Sequence, residues 1–313
     1  MERIATSIGK KMIQHPSINT GSVVWRLILG LAVAGGVPHQ NATAAQAPVA
    51  LGSAATFGVL AATTVTTIPT TVVDGDLGVY PGNTVTGSPT VNGTLHLGDP
   101  AAGQAQLDLT IAYNDAAGRT VGAVLVAGNL GGQTLTPGLY KSSSSLEISS
   151  GDLTLDAQAD ANAVFIFQIA STLITTVGRQ VILSGGAQSA NVYWQVGSSA
   201  TIGGSSAFKG TIMADQSITL NTAATLDGRA LARNGAVALD ANAITAPNPT
   251  TLVSAAAVTG PYTVAAGQST GLAIKTITAP LSGSTQFYRI RSNTAVTITG
   301  ITISGGNVVI TYE

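Results

Sequence analysis

The sequence predicts a mainly β protein: an irregular three-sided β-solenoid with one long α-helix packed alongside, followed by a small C-terminal β module. Short segments of alternating apolar and polar residues, separated by glycine, run from about residue 51 to 244, and glycine makes up 37 of the 313 residues. A nine-residue pattern recurs in this region, for example as WQVGSSATI at 194–202 and IMADQSITL at 212–220. Repeats that stack their strands in this way are typical of solenoids.

Residues 1–45 predict a secretory signal peptide. Basic residues between positions 3 and 11 precede the apolar run VVWRLILGLAVAGG, and ATA at 42–44 offers the small residues that a signal peptidase requires. A membrane anchor is the alternative, but Arg26 interrupts the run, whose apolar core is shorter than the roughly 18 residues that a span needs. We therefore expect a secreted, extracellular protein with no stable membrane span after signal removal.

Residues 99–118 predict the helix. Asp99 is a suitable N-cap, Pro100 stands at the first helical position, and Gly118 can end the helix. Small and apolar residues recur on one side at helical spacing: Ala105, Leu109, Ala112 and Ala116. This side should lie against an apolar surface of the solenoid.

Five copies of the nonapeptide follow the helix, and they can be stacked without gaps. They begin at residues 140, 167, 194, 212 and 231, so that successive starts are separated by about the length of one solenoid turn. Further strand-like pieces, DLTLDA, QVILSG and AATLDG, lie between them. The expected result is a three-sided coil over residues 46–246.

Alternation within each strand assigns two faces, because neighbouring side chains point in opposite directions. The expected inward residues are Leu146, Ile148, Leu173, Ala200, Ile202, Ile218, Leu220, Val237 and Leu239. The outward residues form one column of Ser145, Thr172, Ser199, Ser217 and Ala236, and a second of Glu147, Ile174, Thr201, Thr219 and Ala238. Upstream, Thr64 with Thr66 and Thr84 with Thr86 have the same spacing and could extend this grid. A flat array of small hydroxyls and methyls suits an ordered lattice, although threonine is also favoured in strands for packing reasons alone.

Residues 252–313 predict a separate C-terminal β module, joined by a linker at 247–251 within APNPTT. FYRIRS, VTITGITIS and NVVITYE have the composition of strands, and Gly305-Gly306 predicts a hairpin turn. Exposed strand edges in this module could pair with a partner, which keeps surface attachment or self-association open.

Composition and motifs argue against catalysis and against several classes of partner. A charged fraction of 9% and a formal charge of −1 lack the basic face that nucleic acid requires. Asp74-Gly75-Asp76 could suggest calcium but is typical of a turn, and His96 alone cannot make a metal site or a triad. The carboxylates are too scattered for glycoside hydrolysis, and the glycine-rich runs lack the Lys-Ser/Thr of a phosphate loop. We therefore predict no enzyme activity, no cofactor and no metal site.

Several blocks of the chain resemble the microbial ice-binding (antifreeze) family with an irregular β-solenoid fold. The blocks are LGSAATFGVLAATTVT, VVDGDLGVYPGNTVTG, NLGGQTLTPGLYKSSSSLEI, VFIFQIASTL, VYWQVGSSATIG and LDGRALARNGAVALD, and they occur in the family's order from about residue 51 to 246. The resemblance implies a long helix beside a three-faced solenoid, one flat face of which adsorbs to ice.

Carried over by position, the resemblance places the ice-binding column at Thr66, Thr86, Thr201, Thr219 and Ala238. The remaining candidate site residues lie beside it: Thr64, Thr84, Thr172, Ser199, Ser217 and Ala236. Glu147 and Ile174 depart from the pattern, because a carboxylate and a bulky side chain suit a flat ice-binding surface poorly. The expected partner is the ice crystal surface. A structural or adhesive extracellular solenoid without ice activity stays open as the alternative.

Overall fold

The computed structural model describes residues 46–247, 251–255, 263–264, 269–271, 276–281, 287–291 and 298–312. The predicted signal peptide and most of the predicted linker lie outside the described residues. Short 3₁₀ helices occupy Gly52–Thr56 and Ser189–Asn191, and helix α1 is Pro100–Gly118.

The strands before residue 248 are, in chain order, β1 to β22: Phe57–Ala61, Thr64–Ile68, Val72–Asp74, Asp76–Val79, Thr84–Thr86, Thr90–Val91, Leu95–Leu97, Ala123–Leu125, Thr134–Leu135, Gly138–Ser142, Leu146–Ile148, Leu153–Asp156, Phe165–Ile169, Leu173–Thr175, Val181–Ser184, Val192–Val196, Ala200–Ile202, Ala207–Ala214, Ile218–Leu220, Thr225–Ala232, Val237–Asp240 and Ala243–Thr245. The later strands are β23 to β29: Thr251–Ala255, Thr263–Val264, Ser269–Gly271, Thr276–Pro280, Phe287–Arg291, Ile298–Ser304 and Asn307–Tyr312.

The strands of residues 46–247 form three parallel sheets of twelve, seven and three strands, which are the faces of the predicted solenoid. The twelve-stranded sheet contains the series β20-β18-β16-β13-β10-β8, and the seven-stranded sheet has the order β11-β14-β17-β19-β21-β2-β5. The third face is short and holds only β15, β12 and β9. DLTLDA and QVILSG supply β12 and β15, whereas AATLDG begins the long strand β20 of the largest sheet. The solenoid prediction is confirmed.

The solenoid core is built from inward columns that continue from rung to rung. All the residues predicted to point inward from the nonapeptides are at most 3% exposed. Tyr140, Phe167 and Trp194 occupy the same position on successive rungs, and their rings stack with centroids 5.4 and 4.0 Å apart. Burying large apolar side chains at each rung is the main stabilising contribution to the coil, roughly 1.5–3 kcal/mol for each.

The gapless alignment of the fifth nonapeptide is wrong at its start. Ile212 pairs with Ala230, not with Leu231, whereas Ile218 pairs with Val237 as predicted. The corner of this rung therefore contains one extra residue, and Leu231 points out of the solenoid core toward the helix. Local alternation could not reveal the slip, because a small alanine and a leucine both satisfy an apolar position.

The helix begins and ends as predicted, and it covers the outer side of the twelve-stranded sheet. The Asp99 carboxylate accepts a hydrogen bond from the Ala102 N–H at 2.9 Å, and the predicted apolar stripe is buried. The stripe packs on outward side chains of the sheet such as Leu139, Ile166 and Tyr193. Central strands of this sheet are consequently buried on both faces, which explains continuous apolar runs such as VFIF.

A buried glutamine fixes the C-terminal end of the helix to the sheet. The Gln168 Nε2 donates to the carbonyl oxygens of Ala116, Ala117 and Arg119 at 2.8, 3.2 and 2.7 Å. These carbonyls have no partner within the helix, so a side chain from the sheet replaces the water that would otherwise solvate them.

The C-terminal strands form antiparallel sheets, in contrast to the parallel solenoid. One has the order β24-β23-β27 and the other the order β25-β26-β29-β28. The three strands predicted here are confirmed, and Gly305 and Gly306 form the two-residue hairpin turn with φ of 55° and 76°. Positive φ at both central residues is the geometry that matches the twist of a hairpin. Whether this module folds independently stays a prediction. In the part of the chain that the structure describes, no helix is long and apolar enough to cross a membrane.

Candidate functional site

The seven-stranded sheet carries the residues that the sequence singles out. Its register aligns one outward residue per strand into a column that runs Glu147, Ile174, Thr201, Thr219, Ala238, Thr66 and Thr86. We call this the outer column. Its members repeat at the strand spacing of about 4.7–4.9 Å.

A second column lies two residues earlier along the chain than the outer column, within β2 and β5 and directly before the other five strands, about 6.5–7 Å away. We call it the inner column, and it comprises Ser145, Thr172, Ser199, Ser217, Ala236, Thr64 and Thr84. The structure thus brings every sequence-predicted site residue to one face of one sheet. Between the columns, every strand except β5 points a buried side chain into the core, such as Val65, Ile218 and Val237, all fully buried. On β5 the inward residue, Val85, is partly buried and packs against the core. This packing holds the short strands level with one another.

The two columns differ in what their hydroxyls contact. In the inner column, Thr172 Oγ1 donates to Ser145 Oγ at 2.8 Å, and Thr64 Oγ1 donates to the Thr84 carbonyl at 3.2 Å. Ser199 Oγ and Ser217 Oγ accept hydrogen bonds from backbone N–H groups of the next rung, at 3.3 and 3.2 Å. The inner column therefore links adjacent rungs.

Hydroxyls of the outer column are available to solvent. Within the described residues, those of Thr66, Thr86, Thr201 and Thr219 have no hydrogen-bond partner in the protein. Thr66 and Thr86 are exposed, whereas Thr201 and Thr219 are partly exposed. A row of small hydroxyl-bearing side chains at strand spacing thus faces water on a backbone that the inner column holds in place.

The two unsuitable side chains lie together at one end of the sheet. Glu147 belongs to the first strand in the order, β11, and Ile174, which is 40% exposed, belongs to the second, β14. The N-terminal strands β2 and β5 do not extend the sheet at this end; they follow β21 at the opposite end. The small residues of the outer column therefore form one uninterrupted field across β17, β19, β21, β2 and β5.

The sequence-based assignment missed a further pair on this face. Ile68 follows Thr66 in the alternation of β2, is 52% exposed, and lies opposite Asp240 on β21. The alternation in TVTTI already predicts that Ile68 points outward, on the same side as Thr64 and Thr66. These two residues mark the margin of the field, because the pair lies two residues beyond Thr66 and Ala238 and neither side chain is small. Asp240 also accepts a hydrogen bond from Thr222 Oγ1.

Other polar groups singled out in the sequence have structural partners. The Asp74 carboxylate accepts a hydrogen bond from Asn92, and Asp76 Oδ1 accepts one from the Thr94 N–H at 2.8 Å, so these two aspartates fix a turn against the next coil. His96 Nδ1 lies 2.7 Å from Asp99 Oδ2, beside the helix N-terminus. The N–H of Ala102 and the contact with His96 hold the pKa of Asp99 below its usual value. Among the described residues, no group of three or more His, Cys, Asp or Glu side chains could hold a metal ion.

Residues 59–245 match the family described as Ice-binding-like. The chain belongs to this family. An ice-binding protein of Nostoc sp. (strain HG1) is 47% identical over 197 residues, which span 62% of this chain and 72% of that protein. One from Flavobacterium frigoris (strain PS1) is 36% identical over 218 residues, 64% of this chain and 76% of that protein.

Solved structures of similar proteins have the same fold as the large domain. An ice-binding protein from an Antarctic biological consortium, known from its crystal structure, has 55% sequence identity to this chain and a TM-score of 0.64. The match covers 65% of this chain and 93% of that protein's chain. The ice-binding protein from the Antarctic ascomycete Antarctomyces psychrotrophicus, also known from a crystal structure, has 38% sequence identity and a TM-score of 0.62. This match covers 64% of the present chain and all of the ascomycete protein's chain.

Proposed function

We propose that this chain is a secreted ice-binding protein that adsorbs to ice through the seven-stranded sheet and so inhibits ice growth or recrystallisation. The carrying observation is the outer column, whose threonine hydroxyls have no protein partner within the described residues and repeat at strand spacing. The names of the relatives support the ligand, and the secretory character of residues 1–45 supports the location.

The two columns have different roles in ice binding: the outer column contacts the water layer, and the inner column stabilises the backbone. Free hydroxyls of the outer column hold a layer of surface water in an ice-like arrangement, while the adjacent methyl groups keep that water from being bound too tightly. Inner-column hydroxyls other than that of Thr84 bond to an adjacent rung and keep the spacing regular. A regular spacing matters because an ice surface can be matched only by groups that are already in place; ordering them upon adsorption would cost conformational entropy.

Adsorption over an area needs no nucleophile, acid–base pair, metal or cofactor, so no residue of the chain is given a catalytic or metal-binding role. The formal charge of −1 supports a neutral crystalline partner more than a nucleic acid. Each side chain contributes a small part, so the loss of a single hydroxyl should matter less than the loss of flatness.

The test is to measure thermal hysteresis and ice recrystallisation inhibition for the purified protein and for Thr219→Tyr. Thr219 lies within the field of small side chains, next to Ala238. A tyrosine there should hold the surface off the lattice across several rungs and reduce activity about ten-fold or more, with the stability changed by no more than about 0.5 kcal/mol because the site is solvent-facing.

A matched control is available on the third face. Thr154 on β12 is partly exposed like Thr219 and, like it, lies on a central strand between two buried aliphatic residues. Thr154→Tyr should leave ice activity unchanged. Equal loss in both variants would move the binding face away from the seven-stranded sheet, and an inactive folded wild type would favour the structural or adhesive alternative.

A further inference from the structure

The C-terminal sheet β25-β26-β29-β28 ends in a strand with a free edge. Strand β28, ITGITIS, pairs with β29 on one side, and none of the described residues pairs with its other side. Such an edge presents unpaired N–H and C=O groups, and proteins usually protect it with charges, proline or a covering segment. β28 contains no charged residue and no proline.

The apolar face of this sheet extends onto the same strand. Ile277 and Ala279 on β26, and Val308 and Ile310 on β29, are buried on one side of the sheet. Ile301 is paired with Ile310 and Ile303 with Val308, so both isoleucines point to that apolar side. Yet Ile301 is 62% exposed and Ile303 is 72% exposed. The free edge and the uncovered isoleucines therefore belong to one surface.

We propose that β28 pairs antiparallel with β28 of a second copy of this chain, about a two-fold axis at Thr302. A bulge between Ile298 and Gly300 limits the regular strand to residues 300–304, and Thr302 is its centre. In this register Ile301 lies opposite Ile303 of the second copy, and the reverse pair forms by symmetry.

The strand is self-complementary in this arrangement. Residues directly opposite each other in an antiparallel pair point to the same side, so the four isoleucines form one cluster on the apolar face. A two-fold interface brings the same surface together from both copies, and a strand without charge meets itself without repulsion. This inference concerns the C-terminal module and stands whether or not the seven-stranded sheet binds ice.

The first test is the oligomeric state of the protein expressed from its full sequence, measured by sedimentation velocity from micromolar to submillimolar concentrations. We expect a reversible dimer, which Ile301→Lys should weaken roughly ten-fold or more in Kd. Leu107 on α1 is also 62% exposed, so Leu107→Lys controls for adding the same charge elsewhere and should leave the dimer intact. A monomer at all concentrations, or equal weakening by both variants, would overturn the proposal.

A second test reports the register, because the chain has no cysteine of its own. Thr302→Cys places one thiol from each copy at the axis, and mild oxidation should yield a disulfide-linked dimer. Thr299→Cys is the control, since in the proposed register the two thiols lie about 20 Å apart. Cross-linking at 299 that equals or exceeds that at 302 would exclude this pairing.

Discussion

Threonine and serine hydroxyls on the seven-stranded sheet have two different roles according to their column. Thr64 donates to the Thr84 carbonyl and so joins two rungs, whereas Thr66, two residues later on the same strand, has no hydrogen-bond partner among the described residues. A threonine hydroxyl can therefore bond to the backbone of the next rung in the inner column, and it faces solvent in the outer column. Position on the rung, more than residue identity, decides what each hydroxyl can bind.

Glu147 provides a prediction at this scale. Because Glu147 lies on the terminal strand β11, outside the field of small residues, its carboxylate should disturb only the margin of the proposed ordered water layer. Glu147→Thr should raise recrystallisation inhibition modestly, less than about two-fold, at unchanged stability. Glu147→Gln removes the charge but keeps the size of the side chain, so comparing it with Glu147→Thr shows which of the two properties limits activity. A gain as large as the loss in Thr219→Tyr would show that the margin belongs to the binding face.

At the scale of the element, helix α1 is held to the N-terminal segment by a carboxylate. Asp108 Oδ2 accepts hydrogen bonds from the Ser53 Oγ and the Ser53 N–H, both at 2.7 Å. The bonds from the Ser53 side chain and backbone favour the ionised form and hold the pKa of Asp108 below its usual value of 3.8. Since the folded-state pKa is the lower one, the stabilisation is present above pH 3.8 and is lost as the pH falls through the folded value.

Asp108→Asn should therefore destabilise the protein at pH 7 but not in acid. We expect a decrease of about 1 kcal/mol in the free energy of unfolding, small because Asp108 is only partly buried. Denaturant titrations of wild type and variant at pH 7 and near pH 2 provide the measurement. A difference of the same size at both pH values would mean that the charge of Asp108 contributes nothing.

At the scale of the whole molecule, the end of the solenoid is fixed by a buried arginine. Arg229 is 2% exposed; its Nε donates to the Ala55 carbonyl at 2.9 Å, and its Nη2 donates to the Pro247 carbonyl. Burial lowers the pKa of Arg229 to about 10, so the guanidinium remains charged at neutral pH. From strand β20 the arginine thus contacts both the segment before β1 and Pro247, the first residue of the predicted linker.

Truncation tests this boundary. A chain ending at 247 should remain folded and keep its ice activity per molecule, because every pairing of β1 to β22 lies within residues 46–247. Ending it at 245 should cost about 1–3 kcal/mol, because Arg229 loses a carbonyl acceptor while still buried. Thermal unfolding compares the two chains. If the chain ending at 247 unfolds, the C-terminal module is part of the same cooperative unit.

The sequence by itself determined the solenoid, the helix from Asp99 to Gly118, the hairpin at Gly305-Gly306 and the side on which each candidate threonine lies. The solenoid follows from the nonapeptide repeat, and the other features follow from local rules: a period of two in strands, capping residues at a helix end and glycine at positive φ. They need no knowledge of distant contacts, and for this reason the sequence alone predicts one face for all eleven candidate residues.

Only the tertiary structure decided the order of the rungs. The chain returns so that β2 follows β21, which places the three strands β17, β19 and β21 between the pair Thr66 and Thr86 and the pair Glu147 and Ile174. It also decided the extra residue before Ala236 and the use of Gln168 to cap the helix. The physical reason is that strand pairing joins residues far apart in sequence, for example Thr66 with Ala238, and alternation within a strand carries no information about which strand lies beside it.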